Sequence, residues 1–372
     1  MSSSAKHFVT SRLDAIGVGI NGPEPWSPQV HDERLWARLL RDGTLGLGES
    51  YMDGWWDAEA LDEFLFRLVS GHVQDGFPKD LAVMWSMAKG RLLNLQRLRI
   101  TEVGEKHYDI GNDLYEAMLD SRMIYSCGYW QAADDLETAQ EAKLDLICRK
   151  LGLAPGMHIL DIGSGWGGLL KFAAERYGVS GLGVTVSKEQ AALANERAKG
   201  LPVETRLLDY QALSGQFDRI VSVGMFEHVG YKNYRAYFEK AATLLKPDGL
   251  FLLHTIGGHL SATHGDPWSE KYIFPNGMLP SIAQIGKGLE GLFVMEDWHN
   301  FGADYDRTLM AWRDNFERAW PGLMGEKYDG RFGRMWRYYL SSFAALFRAR
   351  NISLWQLVLS PAGVPGGYRS IR

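Results

Sequence analysis

Cysteine is nearly absent: Cys127 and Cys148 are the only two in 372 residues. So few thiols cannot staple a chain this long, and a reduced, cytoplasmic protein is expected. The opening MSSSAKHFVTSRLDAIGV has neither the apolar core nor the small-residue cleavage site of a signal peptide. Long apolar runs are missing too. The longest stretch free of Asp, Glu, Lys and Arg extends from Asn351 to Tyr368, and Pro361, Gly363, Pro365, Gly366 and Gly367 interrupt it, so no bilayer span is expected. Excess positive charge is lacking as well. A formal net charge of −5 gives no global basic field to hold nucleic acid by counterion release. No internal repeat or low-complexity tract occurs. At 46% apolar and 23% charged residues the chain is neither disordered nor collagen-like, and its length predicts about two domains with a sizeable core. What is plentiful is large and polarizable: 13 Trp, 16 Tyr, 16 Phe and 13 Met. Such side chains build cores and also suit greasy or cationic ligands.

From about residue 30 to 100 the pattern predicts short helices joined by glycine turns, DERLWARLLRDG first and DAEALDEFLFRLVSG next, with Asp57 or Asp62 as cap of the second. A third element, residues 79–100, sets Lys79, Lys89, Arg91, Arg97 and Arg99 against the single acid Asp80, beside an apolar face of Met84, Trp85, Leu92, Leu95 and Leu98. It reads as a helix packed on its own domain or as one that meets an anionic lipid surface. From about residue 155, short apolar runs alternate with helical ones, the signature of βα units and a parallel, doubly wound sheet. Strands are expected at 158–162, 181–186, 204–208, 217–223, 250–254 and about 293–298. Two long helices should follow, from Asp304 and from Lys327.

The strongest local signal is HILDIGSGWGGLLKFAAERYG, a strand ending at Asp161, a glycine turn, then a helix. Gly163 and Gly165 allow a backbone that presses against a nucleoside or phosphate at the helix N-terminus. Gly163, Gly165 and Gly168 also satisfy GxGxxG, so a nicotinamide oxidoreductase has to be weighed. That class would place an acid on the ribose about 20 residues on. Here VTVSKEQ offers the neutral Thr185, Ser187 and Gln190, with Glu189 the only acid, and the third strand ends in LLDYQ, where Asp209 can accept from an adenine amino group. These turns at successive strand ends favour S-adenosylmethionine over NAD. Upstream, residues 106–130 interleave aromatics with Asn, Asp, Ser and Cys, a composition for a pocket wall. A sulfonium prefers aromatic faces, each contributing about 0.5–2 kcal/mol when desolvated, and Tyr108, Tyr125 and Tyr129 are candidates. His254, His259 and His264 are spaced by five, which fits no ligand pattern, so no metal is expected.

Seven ordered segments carry a specific resemblance: HYDIGNDLY (107–115), YSCGYW (125–130), LDIGSGWGG (160–168), GVTVSKEQ (183–190), MFEHVG (225–230), LLHTIG (252–257) and NFGADYDRTLMAW (300–312). Together they resemble the cyclopropane fatty acid synthases. The resemblance implies an α/β fold, a Rossmann-like class I methyltransferase sheet (residues 101–372) with a smaller helical, lipid-contacting N-terminal domain (1–100). It implies methyl transfer from S-adenosylmethionine to the cis double bond of an unsaturated phospholipid chain, closing a cyclopropane ring. It also implies peripheral contact with the inner face of the membrane, and often a homodimer. Cofactor contacts carry over to Tyr125, Ser126, Asp161, Gly163, Ser164, Gly165, Trp166, Gly167, Thr185, Gln190, Asp209 and Tyr210.

An alkene is a poor nucleophile, so the donor methyl must be held in line in a site that excludes water. Addition leaves a cation at carbon, and a base must take a proton from the transferred methyl for the ring to close. By resemblance that base is bicarbonate, held by Cys127, Glu227, His254, the backbone of Ile256, and Tyr305. A nucleophilic role for Cys127 is not needed, since transfer to carbon requires no covalent enzyme intermediate. One position departs from the family: Phe343 stands where the bacterial enzymes carry a reactive cysteine. Three alternatives stay open, namely a related enzyme giving a methyl-branched product, the oxidoreductase, and an inactive lipid-binding protein.

Overall fold

The computed structural model describes residues 2–73 and 111–372. The basic stretch at 79–100, Tyr108 and the proposed boundary at 100/101 lie outside the described residues. Near the N-terminus, α1 (Ser2–Ala15), α2 (Leu35–Met52) and α3 (Leu61–Ser70) surround a two-stranded ribbon, β1 (Gln29–Val30) and β2 (Trp56–Asp57). The sequence reading did not predict α1, whose apolar stripe is only Ala5, Val9 and Leu13, one residue per turn. It also ended the first helix too soon. α2 runs on through Gly43, Gly46 and Gly48, kinked at Gly43. Gly48 is needed for packing, because a Cβ there would stand 2.3 Å from the Trp268 ring. Nor does Asp57 or Asp62 cap α3: Asp57 closes β2, Asp62 lies inside the first turn, and the capping position is Ala60.

Two helices, α4 (Asn112–Met118) and α5 (Leu136–Lys150), lead into the sheet. Its strands are β3 (His158–Ile162), β4 (Ser180–Thr185), β5 (Val203–Leu207), β6 (Phe217–Val223), β7 (Leu245–Gly258), β8 (Val294–Asn300) and β9 (Ile352–Ser360). They lie in the order β5-β4-β3-β6-β7-β9-β8. The first five are parallel, and β9 is antiparallel to both of its neighbours. The helices between are α6 (Gly168–Tyr177), α7 (Lys188–Arg197), α8 (Tyr234–Leu244), α9 (Pro267–Tyr272) and α10 (Ile282–Leu289). Two long helices, α11 (Ala303–Leu323) and α12 (Gly330–Arg348), precede β9.

β9 was not foreseen. All nine of its residues are buried, so it shows none of the alternation that marks a half-exposed strand. Chain order reverses between β3 and β6, which opens a crevice beyond their carboxyl ends, the place where open α/β sheets bind ligands. Two apolar clusters flank the sheet, and a third joins α1–α3 to α11, α12 and the segment around Tyr115–Ala139. Among the described residues no helix is long and apolar enough to cross a membrane.

Candidate active site

The glycine turn closes the crevice at the end of β3. Gly163 N–H and Ser164 N–H both donate to the Val184 carbonyl at 3.0 Å, which folds the turn back over β4. Gly163 has φ +85°, and a Cβ there would meet the Met225 side chain at 2.7 Å. At the head of α6, a Cβ on Gly168 would lie 2.7 Å from the Arg122 carbonyl oxygen, so glycine lets the 120–130 segment lie against the turn. Trp166 Nε1 donates to Asn112 Oδ1 at 3.0 Å and ties the turn to α4. At the end of β4, Thr185 Oγ1 donates to Gln190 Oε1 at 2.8 Å, while Ser187 caps α7. Asp209 sits just past β5 and accepts from Gln211 N–H at 2.9 Å. Burial pushes the Asp161 carboxyl up to about 7, and its Oδ1 has no hydrogen-bond partner.

These groups share one cavity of about 1150 Å³, above the usual range of roughly 300–1,000 Å³ for drug-sized ligands. One end is formed by Asp161, Gly163, Ser164, Gly165, Trp166, Thr185, Gln190, Asp209 and Tyr210. The other is apolar, with Val9, Leu13, Leu39, Phe64, Leu65 and Leu68 from α1–α3 opposite Phe343 and Leu346 of α12. Tyr125, Ser126, Glu227, Ile256 and Tyr305 line it as well. Gly167, Cys127 and His254 do not reach its surface, and neither does Tyr129, which instead packs edge-on against His299 and Phe301.

The 120–130 segment has little regular structure and is held by side chains. Asp120 Oδ1 accepts from Ile124 N–H at 2.7 Å, Gln140 Nε2 donates to the Ser126 carbonyl at 2.7 Å, and Lys143 Nζ donates to Ser126 Oγ at 2.6 Å. Farther along, Thr308 Oγ1 accepts from Gly128 N–H at 3.0 Å and from Trp130 Nε1 at 2.8 Å. Cys127 is thereby fully buried, with Sγ donating to the Gly128 carbonyl at 3.1 Å. Burial, reinforced by the Asp304 charge, pushes its thiol well up, so it stays protonated. Tyr125 meets Tyr115 and Trp312 at ring distances of 5.1 Å each, and its hydroxyl lies 2.7 Å from that of Tyr339. The result is an aromatic wall in which burial keeps the Tyr125 hydroxyl protonated.

Glu227 follows β6 in a short 3-10 turn, Phe226–His228, that sets its carboxylate against β7. Its Oε1 accepts from Ile256 N–H at 2.7 Å, which uses the backbone donor expected to meet the anion. Its Oε2 is buried and unpartnered. Burial pushes the carboxyl up to about 7 against the pull of the Ile256 N–H. His254 shares its side of β7 with Ile256. Gln356 Nε2 donates to His254 Nδ1 at 3.2 Å, which leaves Nε2 to carry the hydrogen, and that atom too is buried without a partner. Burial, with Lys143 and Lys150 adding, holds His254 well below its ordinary value and hence neutral. Tyr305 stacks on Phe347 at 4.6 Å. His259 and His264 hydrogen-bond to the Arg350 and Gly265 carbonyls respectively. Among the described residues no group of three His, Cys, Asp or Glu could hold a metal.

Among the lining residues that sequence reasoning passed over are Lys143 and Tyr339. A signal existed for each. Lys143 lies on the buried face of α5 with Ala139, Leu144 and Ile147, as Lys150 does two turns later, and Tyr339 stands one turn before Phe343 on α12.

The family model described as mycolic acid cyclopropane synthetase matches residues 96–357. The cyclopropane-fatty-acyl-phospholipid synthase of Escherichia coli (strain K12) is 53% identical over 361 residues, covering 97% of this chain and 94% of that protein. The tuberculostearic acid methyltransferase UfaA1 of Mycobacterium tuberculosis is 33% identical over 387 residues, 97% of this chain and 90% of its own length. Among solved structures, the mycolic acid cyclopropane synthase CmaA1 complexed with SAH and CTAB has TM-score 0.65 and 32% identity over 70% of this chain and 97% of its own. Coclaurine N-methyltransferase, at TM-score 0.69 but 20% identity over 84% of this chain and 98% of its own, shares the fold alone. The nicotinamide reading ends here. A family model over more than half of the chain, and close identity along nearly all of it, make this chain a member of the mycolic acid cyclopropane synthetase family and an S-adenosylmethionine-dependent methyltransferase.

Proposed function

We propose that the chain converts the cis double bond of an unsaturated phospholipid acyl chain into a cyclopropane ring, with S-adenosylmethionine as methyl donor and bicarbonate as base. The observation that carries the base is the pair of buried orphan atoms, an acceptor at Glu227 Oε2 and a donor at His254 Nε2. Bicarbonate both donates and accepts, so it fits this pair, and Tyr305, kept protonated by burial, adds a second donor. When bound, the donor supplies an electrophilic methyl and the bicarbonate a proton acceptor at carbon.

The chain's own residues do the rest. Thr185, Gln190 and Asp209 would hold the ribose and adenine, and the turn at 163–165 lets the backbone approach closely. The faces of Tyr125, Tyr305 and Tyr339 meet positive charge in a site from which Phe343, Leu346 and the α1–α3 side chains exclude water. Cys127, whose Sγ donates to the Gly128 carbonyl, would meet the anion only once that hydrogen bond is released. An apolar end long enough for an acyl chain agrees with a relative that accepts SAH together with CTAB, a long-chain amphiphile.

Residues 1–100 then form the part that meets the bilayer, peripherally and from the cytoplasmic side. Reversing Arg91, Arg97 and Arg99 should weaken vesicle pelleting in a salt-sensitive way. Unchanged pelleting would place the lipid contact elsewhere. A homodimer belongs to the same reading and is checked by sedimentation. The function is tested by mass spectrometry of lipids from cells expressing the chain. Unsaturated phospholipids should gain one methylene unit each, and unaltered lipids despite soluble, SAH-binding protein would overturn the proposal.

A further inference from the structure

Lys143 is a buried cation that the reaction described above does not use. It sits midway along α5, 1% exposed, with its ammonium donating to Ser126 Oγ at 2.6 Å. Among the described residues its ammonium is paired with this hydroxyl and with no carboxylate, so the charge lacks a protein counter-ion to offset the cost of burial. An ammonium has three N–H donors, and one hydroxyl satisfies one of them. The residue lines the cavity together with Ser126, Asp161, Gly163 and Trp166, at the nucleoside end rather than the apolar end. An acid is on hand there: Asp161, its carboxyl pushed up by burial, has an Oδ1 with no partner. Lys143 in turn is pushed down to about 8 by the same burial, with Asp120, Cys127 and Asp161 partly restoring it. A buried cation and a buried acid facing one cavity, both incompletely paired, match a zwitterion with one anionic and one cationic end.

We propose that Lys143, steadied by Ser126, is the residue that recognises the α-carboxylate of the methyl donor, and that Asp161 accepts from its α-ammonium. Lys143 is then a specificity-determining residue for the amino-acid end of the donor, as Asp209 is for the adenine end. The inference rests on the donor reading above and deepens it. A carboxylate-type anion on Lys143 has a second source, bicarbonate, since His254 and Cys127 also feel the Lys143 charge. The test separates the two.

Titrate the intact protein and Lys143→Met with S-adenosylmethionine and with decarboxylated S-adenosylmethionine, which keeps the sulfonium and the ammonium and lacks only the carboxylate. The unaltered protein should prefer the intact donor by about 10–100-fold, the range of a charge-assisted hydrogen bond. Lys143→Met should lose that preference while binding the decarboxylated compound within about twofold of normal. Equal binding of both compounds by the unaltered protein overturns the proposal without need of a folded variant. So does a variant that weakens both compounds equally, or one that leaves both affinities intact and raises the bicarbonate concentration needed for turnover. Failure of the unaltered protein to bind either compound would instead sink the donor reading itself.

Discussion

Replacing Glu227 separates the two jobs its carboxylate holds. Oε1 satisfies the Ile256 N–H at 2.7 Å, and the orphan Oε2 is the acceptor assigned to the base. Glu227→Ala removes both. Leaving the partly buried Ile256 N–H unpaired costs up to about 1–3 kcal/mol, enough to lower the melting temperature by a few degrees. Loss of an oriented base should cut turnover by about 10²–10⁴. Glu227→Gln keeps a carbonyl oxygen for Ile256 N–H and puts an NH₂ where Oε2 was. It should therefore melt near the unaltered protein yet lose turnover almost as fully as the alanine variant. Neither substitution touches the turn at 163–165, so SAH affinity should stay within about threefold. The assay combines labelled methyl transfer into unsaturated vesicles, SAH titration calorimetry and thermal melting. Equal losses of turnover and SAH affinity, or a glutamine variant as unstable as the alanine one, would refute the division of labour.

The same carboxyl gives a pH signature. It titrates near 7 in the folded state against an ordinary 4.5, so between those values the folded chain holds a proton that the unfolded chain has lost. Stability should fall as pH rises through that window, and Glu227→Gln should lack this part of the slope. Denaturant titrations of both at pH 4.5, 6 and 7.5 check it, and parallel profiles would be the contrary result. With Cys127 and Cys148 fully buried and both thiols shifted upward by burial, aromatic disulfide reagents should label neither in the native protein and both after unfolding. Gly163→Ala forces a side chain into φ +85° and against Met225, a strain of about 1–3 kcal/mol, and should weaken SAH binding together with thermal stability. Full SAH affinity in that variant would mean that the turn does not press on the ligand.

Much of this was legible in the chain because the signals were local. Three of the strands from His158 to Val223 carry short apolar runs, β5 being the polar exception, and the observed limits shift by a residue at most. Asp209 could be placed just past its strand because it directly follows the apolar pair Leu207 and Leu208, although β5 itself carries Glu204 and Arg206. Long-range packing was not legible. β9 is buried between β7 and β8, which pair with both of its edges, and α2 needs glycine at Gly48 because Trp268, more than two hundred residues away, fills the space above it. Tyr129 looked like the other tyrosines of its segment. Its backbone N–H bonds to the Ala139 carbonyl and its ring packs with His299 and Phe301 instead of the cavity. Lys143 was hidden in the opposite sense, since a lysine in a helix is read as solvated until the fold shows what covers it.

The most direct measurement uses donor carrying ¹³C in its methyl group, vesicles of a cis-unsaturated phospholipid, and carbon NMR of the extracted lipid. The label should appear as a ring CH₂ with the alkene signals gone. Label found in a methyl branch, or left wholly in the donor while SAH still binds, would contradict cyclopropane formation by this chain.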